Sequence, residues 1–169
     1  MLNAPGLLRL HRGPRTGGSL RKPNPMHIDG QCLCGHVTFE AEVDPQRVAI
    51  CHCTDCQFHS GTAFGVVAGI DLKDFRLLSG SLKTHVKTAD SGNKRDLTFC
   101  PECGTRIYAG SSGATEGFVG LRLGTVRQRA ELPPTLQVWC QSQQPWTTDL
   151  STIPERPPEA GAETKAGEQ

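Results

Sequence analysis

Seven of the eight cysteines fall into three tight groups: Cys32-Leu33-Cys34, Cys51-His52-Cys53-Thr54-Asp55-Cys56 and Cys100-Pro101-Glu102-Cys103. The chemistry such groups offer is metal binding. Tetrahedral zinc takes thiolate sulfurs at ~2.3 Å, and a Cys-x2-Cys turn aims two of them at one point. Gly35 and Gly104 each follow the last cysteine of a group, where a missing Cβ lets the backbone fold around an ion. A disulfide framework suits small secreted chains, and this one shows no export signal. A Cys-x2-Cys redox pair belongs in a βαβ setting, which the sequence does not offer. The spacing therefore points to zinc.

Seven ligands do not divide evenly into tetrahedral sites. One division pairs the distant Cys32/Cys34 and Cys100/Cys103 into a closed four-sulfur site and leaves Cys51, Cys53 and Cys56 as a three-sulfur site with a free position. Closed sites are structural, whereas an open position is where zinc does chemistry. The alternative is an eighth ligand, from Cys140, His52 or His59. Cys140 follows Trp139 without a partner at ligand spacing, as a small core residue would. His52 lies between two ligands, so its ring is expected to point away from a metal they share. His59 reads as a substrate contact or a hydrogen-bonded bystander. Both divisions stand at this level.

The elements that must position these cysteines read as β. Residues 36–43 (His36-Val37-Thr38-Phe39-Glu40-Ala41-Glu42-Val43) alternate apolar and polar, as a half-buried strand does, until Asp44-Pro45 breaks the run. Further strands are expected over 62–68, 75–78, 83–87, 94–99, 106–109, 117–123 and 136–139. Glycine-bearing turns at 78–81, 90–93 and 110–113 punctuate them. The best helical stretch is a short turn after Cys53. Many short strands with such punctuation predict an all-β barrel or sandwich.

Residues 1–26 hold Arg9, Arg12, Arg15, Arg21 and Lys22, several prolines and glycines, and no acid. They read as a disordered basic leader; an organellar transit peptide or a translation start at Met26 would each account for it, the second more simply. Residues 27–152 form the expected domain, and 153–169, rich in proline and glutamate, the expected disordered tail. Removing the leader's five cations from the 18 Lys and Arg leaves 13 against 17 acids, a net of −4. A domain of that sign is poorly suited to phosphate backbones, so nucleic acid is not an expected partner. No segment approaches the ~20 apolar residues that span a bilayer. The expected setting is a reducing cytoplasm, where clustered thiols stay free for metal.

These motifs resemble the glutathione-dependent formaldehyde-activating enzyme, or S-(hydroxymethyl)glutathione synthase, family. The resemblance runs from about Gly30 to Leu150. It rests on Gly30-Gln31-Cys32-Leu33-Cys34-Gly35, Cys51-His52-Cys53-Thr54-Asp55-Cys56-Gln57, Ser60-Gly61-Thr62-Ala63-Phe64, Phe75-Arg76-Leu77-Leu78-Ser79-Gly80, Phe99-Cys100-Pro101-Glu102-Cys103-Gly104 and Trp139-x-x-Ser142-x-x-Pro145-Trp146. It implies a Mss4-like all-β fold, a structural zinc on Cys32, Cys34, Cys100 and Cys103, and a catalytic zinc on Cys51, Cys53 and Cys56. The implied reaction adds glutathione to formaldehyde and is classed with carbon–sulfur lyases. The chain departs from the family pattern at Phe58, where relatives often carry a basic or small polar residue, and at Gln137, where many carry histidine.

Two functions follow as expectations. One is a zinc-dependent carbon–sulfur lyase acting on a thiol adduct, with glutathione or another small thiol as substrate. Asp55, His52 and His59 lie near its metal but read as structural or surface residues rather than a general base. The other is a non-enzymatic protein-interaction module, which the Mss4-like scaffold also serves; Phe58 would then be part of its surface, although the plainer reading puts Phe58 in the core. A nucleic-acid-binding zinc ribbon fits poorly, because its knuckles lie ~15–20 residues apart and the gap from Cys56 to Cys100 is far longer.

Overall fold

The computed structural model describes residues 25–89 and 91–157. Most of the expected leader and tail, residues 1–24 and 158–169, lies outside that range. Among the described residues ten strands form two sheets. The smaller is antiparallel, in the order β1 (Met26–Gln31), β2 (Thr38–Val43), β5 (Phe75–Ser79). The larger has the order β10 (Leu136–Val138), β3 (Val48–Cys51), β4 (Gly65–Asp71), β9 (Phe118–Arg122), β8 (Arg106–Ser111), β7 (Lys94–Phe99), β6 (Lys83–Thr88). Its neighbours are antiparallel except for β10, which runs parallel to β3. The one α-helix among the described residues, α1 (Thr54–Ser60), follows Cys53 where the sequence placed it. No helix among them is long and apolar enough to cross a membrane.

The fold is all-β, as expected; of barrel and sandwich it is the sandwich, since the larger sheet does not close on itself. In β2 the odd-numbered residues Phe39, Ala41 and Val43 are buried while Thr38, Glu40 and Glu42 stay half exposed, the period of two that marks a strand covering a core. Across from them Ala68, Ile70, Ile107, Val119 and Leu121 present the larger sheet's inner face. The Phe39 ring stacks on Phe75 at 5.2 Å, and Phe75 meets Tyr108 edge-on at 5.1 Å, so three of the nine aromatics meet at the core.

The same alternation fixes what the larger sheet shows on its other side. Cys51, Val67, Gly69, Gly120 and Arg122 face away from the core and line an open groove of about 1170 Å³. Small residues on that face leave the concavity.

Two strands escaped the sequence reading. β3 is a four-residue apolar run without alternation, and β1 begins at Met26, inside the expected leader. Conversely β4 starts at Gly65, later than expected, because residues 61–64 turn out of α1: Gly61 is its left-handed cap at φ 67°.

Candidate functional site

The seven cysteines come together as two groups, and within each group all the sulfurs lie within 4.8 Å of one another. Cys32 and Cys34 stand on the β1–β2 turn; Cys100 and Cys103 stand on the β7–β8 turn. The two turns are built alike. Gly35 N–H donates to Cys32 O at 3.1 Å and Gly104 N–H to Cys100 O at 3.0 Å, and both glycines have φ 74°, the left-handed value that favours glycine. Val37 N–H donates to Cys32 Sγ at 3.2 Å. Thr105 joins the turns, its hydroxyl accepting from Leu33 N–H at 3.1 Å and lying 3.1 Å from Cys103 Sγ. That hydrogen bond draws the Cys103 thiol down to about 5.

Cys51 ends β3, paired with Gly65 on one side and Val138 on the other. Cys53 caps α1, its sulfur accepting from Cys56 N–H at 3.3 Å. Cys56 lies in the first turn of that helix, so a strand end and a helix start supply all three sulfurs. Its thiol is drawn down to about 5 by the hydrogen bond from Cys51 and by the Arg122 guanidinium, while the Cys51 thiol is pushed up by the same pairing.

All eight cysteines are free thiols. Sulfurs at ~2.3 Å from a tetrahedral ion stand ~3.8 Å apart. The Cys32–Cys34, Cys34–Cys100 and Cys51–Cys53 separations of 3.5, 3.9 and 3.5 Å match that edge and are far too long for S–S bonds. Each group can therefore hold a metal ion, and an all-sulfur donor set suits zinc.

The surroundings of the trio are specific. Arg122, on the outward face of β9, directs Nη1 to Cys56 Sγ at 3.7 Å and Nη2 to His59 Nδ1 at 2.9 Å. It reaches them across Gly65, where a Cβ would stand 2.6 Å from Nη1. Burial and the neighbouring Arg122 hold the His59 imidazole down at about 4. The neutral ring accepts at Nδ1 and so carries its proton on Nε2, which has no partner. Gln57 locks the helix in place: its Nε2 donates to His52 O at 2.7 Å and Ser142 O at 2.8 Å, and its Oε1 accepts from Gln144 at 3.0 Å. Ser142 N–H in turn donates to Trp139 O at 3.1 Å. Trp139 takes the left-handed conformation, φ 59°, costly for a non-glycine residue, and is more than half exposed on the groove.

His52 points away from the trio, buried, with Nε2 2.8 Å from Gln137 Oε1 and its ring edge-on to Phe64. Gln137 is thus the partner of a buried ring. Asp55 pairs with Lys87. His59 lines the groove beside the trio. Two expectations fail. Cys140 is exposed rather than core, because β10 ends at Val138 and the left-handed Trp139 turns the chain away from the sheet. Phe58 is 90% exposed: α1 buries none of its residues and is held by the Gln57 hydrogen bonds instead of by packing. Among the described residues no further Cys, His, Asp or Glu joins either sulfur group.

Arg122 was not singled out in the sequence. The available signal was weak: in Val119-Gly120-Leu121-Arg122 a strand's alternation puts the cation on the face opposite Val119 and Leu121.

Two packed β-sheets carrying two all-cysteine groups that can each hold a metal ion, one closed into turns and one on a groove, define a small cysteine-rich β-sandwich class. Residues 27–142 match the family described as glutathione-dependent formaldehyde-activating enzyme, and the chain belongs to that family. A crystal structure of a Rhodobacter sphaeroides protein is similar in fold, with TM-score 0.50 and 19% identity, covering 65% of this chain and 99% of that one. A comparison with curated proteins finds no match.

Proposed function

We propose that the chain is a zinc-dependent carbon–sulfur lyase of the S-(hydroxymethyl)glutathione synthase type, holding two zinc ions in a domain spanning residues 27–152. Cys32, Cys34, Cys100 and Cys103 would hold a structural ion, and Cys51, Cys53 and Cys56 the reactive one. The observation that carries this reading is the placement of the trio. Its three sulfurs line the groove, whereas none of the other four does. The four-sulfur group completes a tetrahedron by itself; the trio leaves one position for a ligand arriving from the groove.

Zinc bound there would act as a Lewis acid, lowering the pKa of an incoming thiol so that it reacts as thiolate near neutral pH. The reaction forms a bond between substrate sulfur and the aldehyde carbon while the carbonyl oxygen takes up a proton; the reverse breaks that bond and returns the proton. The chain's own part is positional. The hydrogen bond from Cys51 and the Arg122 guanidinium favour the Cys56 thiolate, and Arg122 fixes the tautomer of His59, whose ring stays neutral across the physiological range. The Gln57 network fixes α1 against the turn that carries Trp139, so hydrogen bonds tie the trio to the groove wall.

The test is NMR exchange spectroscopy on formaldehyde and glutathione with the metal-loaded protein. Acceleration of adduct exchange at micromolar protein, lost in Cys56→Ser, supports the reading. No acceleration with glutathione removes it as substrate and favours the interaction module, for which the fully exposed face of Phe58 is the specific observation.

A further inference from the structure

The groove is larger and more basic than a tripeptide thiol requires. Its volume of about 1170 Å³ exceeds the ~300–1,000 Å³ usual for small-molecule sites. Arg122 is committed to Cys56 and His59, yet Arg47, Lys94 and Arg95 also line the groove, and none of these three is in an ion pair among the described residues. Among the described residues the acid on the wall, Asp55, is already paired with Lys87. Residues 27–152 carry 11 Lys and Arg against 13 Asp and Glu, so this basic wall is a local departure from its surroundings.

Strand register places these cations. Gly65 is the partner of Cys51 and marks the sulfur end. Four residues along β4, ~13 Å at strand rise, Gly69 lies under the Phe118 ring, where a Cβ would stand 2.7 Å from that ring. The Arg47 guanidinium lies over the other reach of the same ring, 5.5 Å from its centroid. Arg95 pairs with Ser111, one row beyond the line Gly110–Val119–Ile70, which puts it six residues, ~20 Å, from the Gly65 row along the strands. A tripeptide spans ~10 Å end to end, with a central cysteine in mid-span. With sulfur at the trio, its carboxylates stop short of the Gly69 row and well short of the Arg95 row.

We propose that this groove accepts a thiol carried on a long flexible arm that ends in a phosphate-class anion, with the sulfur at Cys51, Cys53 and Cys56 and the anion between Arg47 and Arg95. The inference rests on the trio being a thiol-binding metal site, as set out above. Between the ends the arm crosses Val67, Gly120 and Ala109, small or apolar side chains that make no demand on its polarity. The two arginines supply forked donors matched to a phosphate.

The experiment is calorimetric titration of the metal-loaded full chain with pantetheine, 4′-phosphopantetheine and glutathione. The first two differ by a single phosphate on the same arm. The expected result is 4′-phosphopantetheine binding at least tenfold more tightly than either of the others, with the preference over pantetheine erased in Arg95→Gln and in Arg47→Ala. Equal affinity for the phosphorylated and unphosphorylated thiols overturns the proposal whatever the variants do. Glutathione binding without a phosphate preference overturns this inference alone and leaves the metal-thiol reading standing. If none of the three thiols binds, both fall.

Discussion

The two sulfur groups are made of the same atoms and differ in what surrounds them. Around Cys32, Cys34, Cys100 and Cys103 the chain turns back on itself: each pair sits on a glycine-capped turn, the turns are bridged by Thr105, and the sulfurs face one another. Around Cys51, Cys53 and Cys56 the partners are long-range and polar. Arg122 comes from β9, Gln57 ties to the C-terminal turn, and the groove opens alongside. One group closes two hairpins together, and the other is displayed on a finished sheet. The two groups thus differ in their neighbours as well as in their number of sulfurs.

The sharpest way to break the comparison is to remove one sulfur from each group. Cys103→Ser is expected to unfold the domain, because structural zinc binding is worth ~10–16 kcal/mol in small zinc peptides, against a total stability of ~5–15 kcal/mol for a typical domain. Circular dichroism and thermal melts would then show no cooperative transition. Cys56→Ser is expected to lose one zinc and all thiol reactivity while its melt stays cooperative. If the two variants melt alike, the asymmetry drawn here is wrong.

Arg122→Ala sharpens it more gently. Losing a contact to a ligand commonly weakens metal affinity ~10–100-fold, so competition with a chelator should strip the trio's zinc first. The pH dependence has a definite sign. The Cys56 thiol sits at about 5, below its ordinary 9.0, so its thiolate contributes stability above the ordinary value that is lost as pH falls through about 5. Without the guanidinium that pKa rises, and acid release of the trio's zinc should move to higher pH; release at an unchanged pH would show that Arg122 does not act on Cys56. The smallest effect is at Phe58. Phe58→Ser should change stability by no more than ~0.5 kcal/mol, as at other exposed positions; a melt lowered by several degrees would show that the ring is packed after all.

Much of the fold was legible because strands announce themselves by alternation. Residues 38–43 are the example, and α1 was expected as a short turn after Cys53. β3 was not legible: Val48, Ala49 and Cys51 are buried, so neither face of the strand is polar and no alternation exists to read. The cysteine groups were visible from spacing, since metal ligands on tight turns are close in sequence. Arg122 and His59 meet only through the β4–β9 pairing, a contact 63 residues apart that no local pattern encodes. Phe58 misled because an aromatic residue in a short helix usually packs, whereas this helix is held by a glutamine's hydrogen bonds.

The central claim is that seven cysteines make two metal sites of unequal kind. Elemental analysis of the purified full chain, beside Cys56→Ser, tests it most directly. The account predicts two zinc ions per chain, falling to one in the variant with the fold retained. One zinc per chain in the unaltered protein, or loss of both in Cys56→Ser, would contradict it.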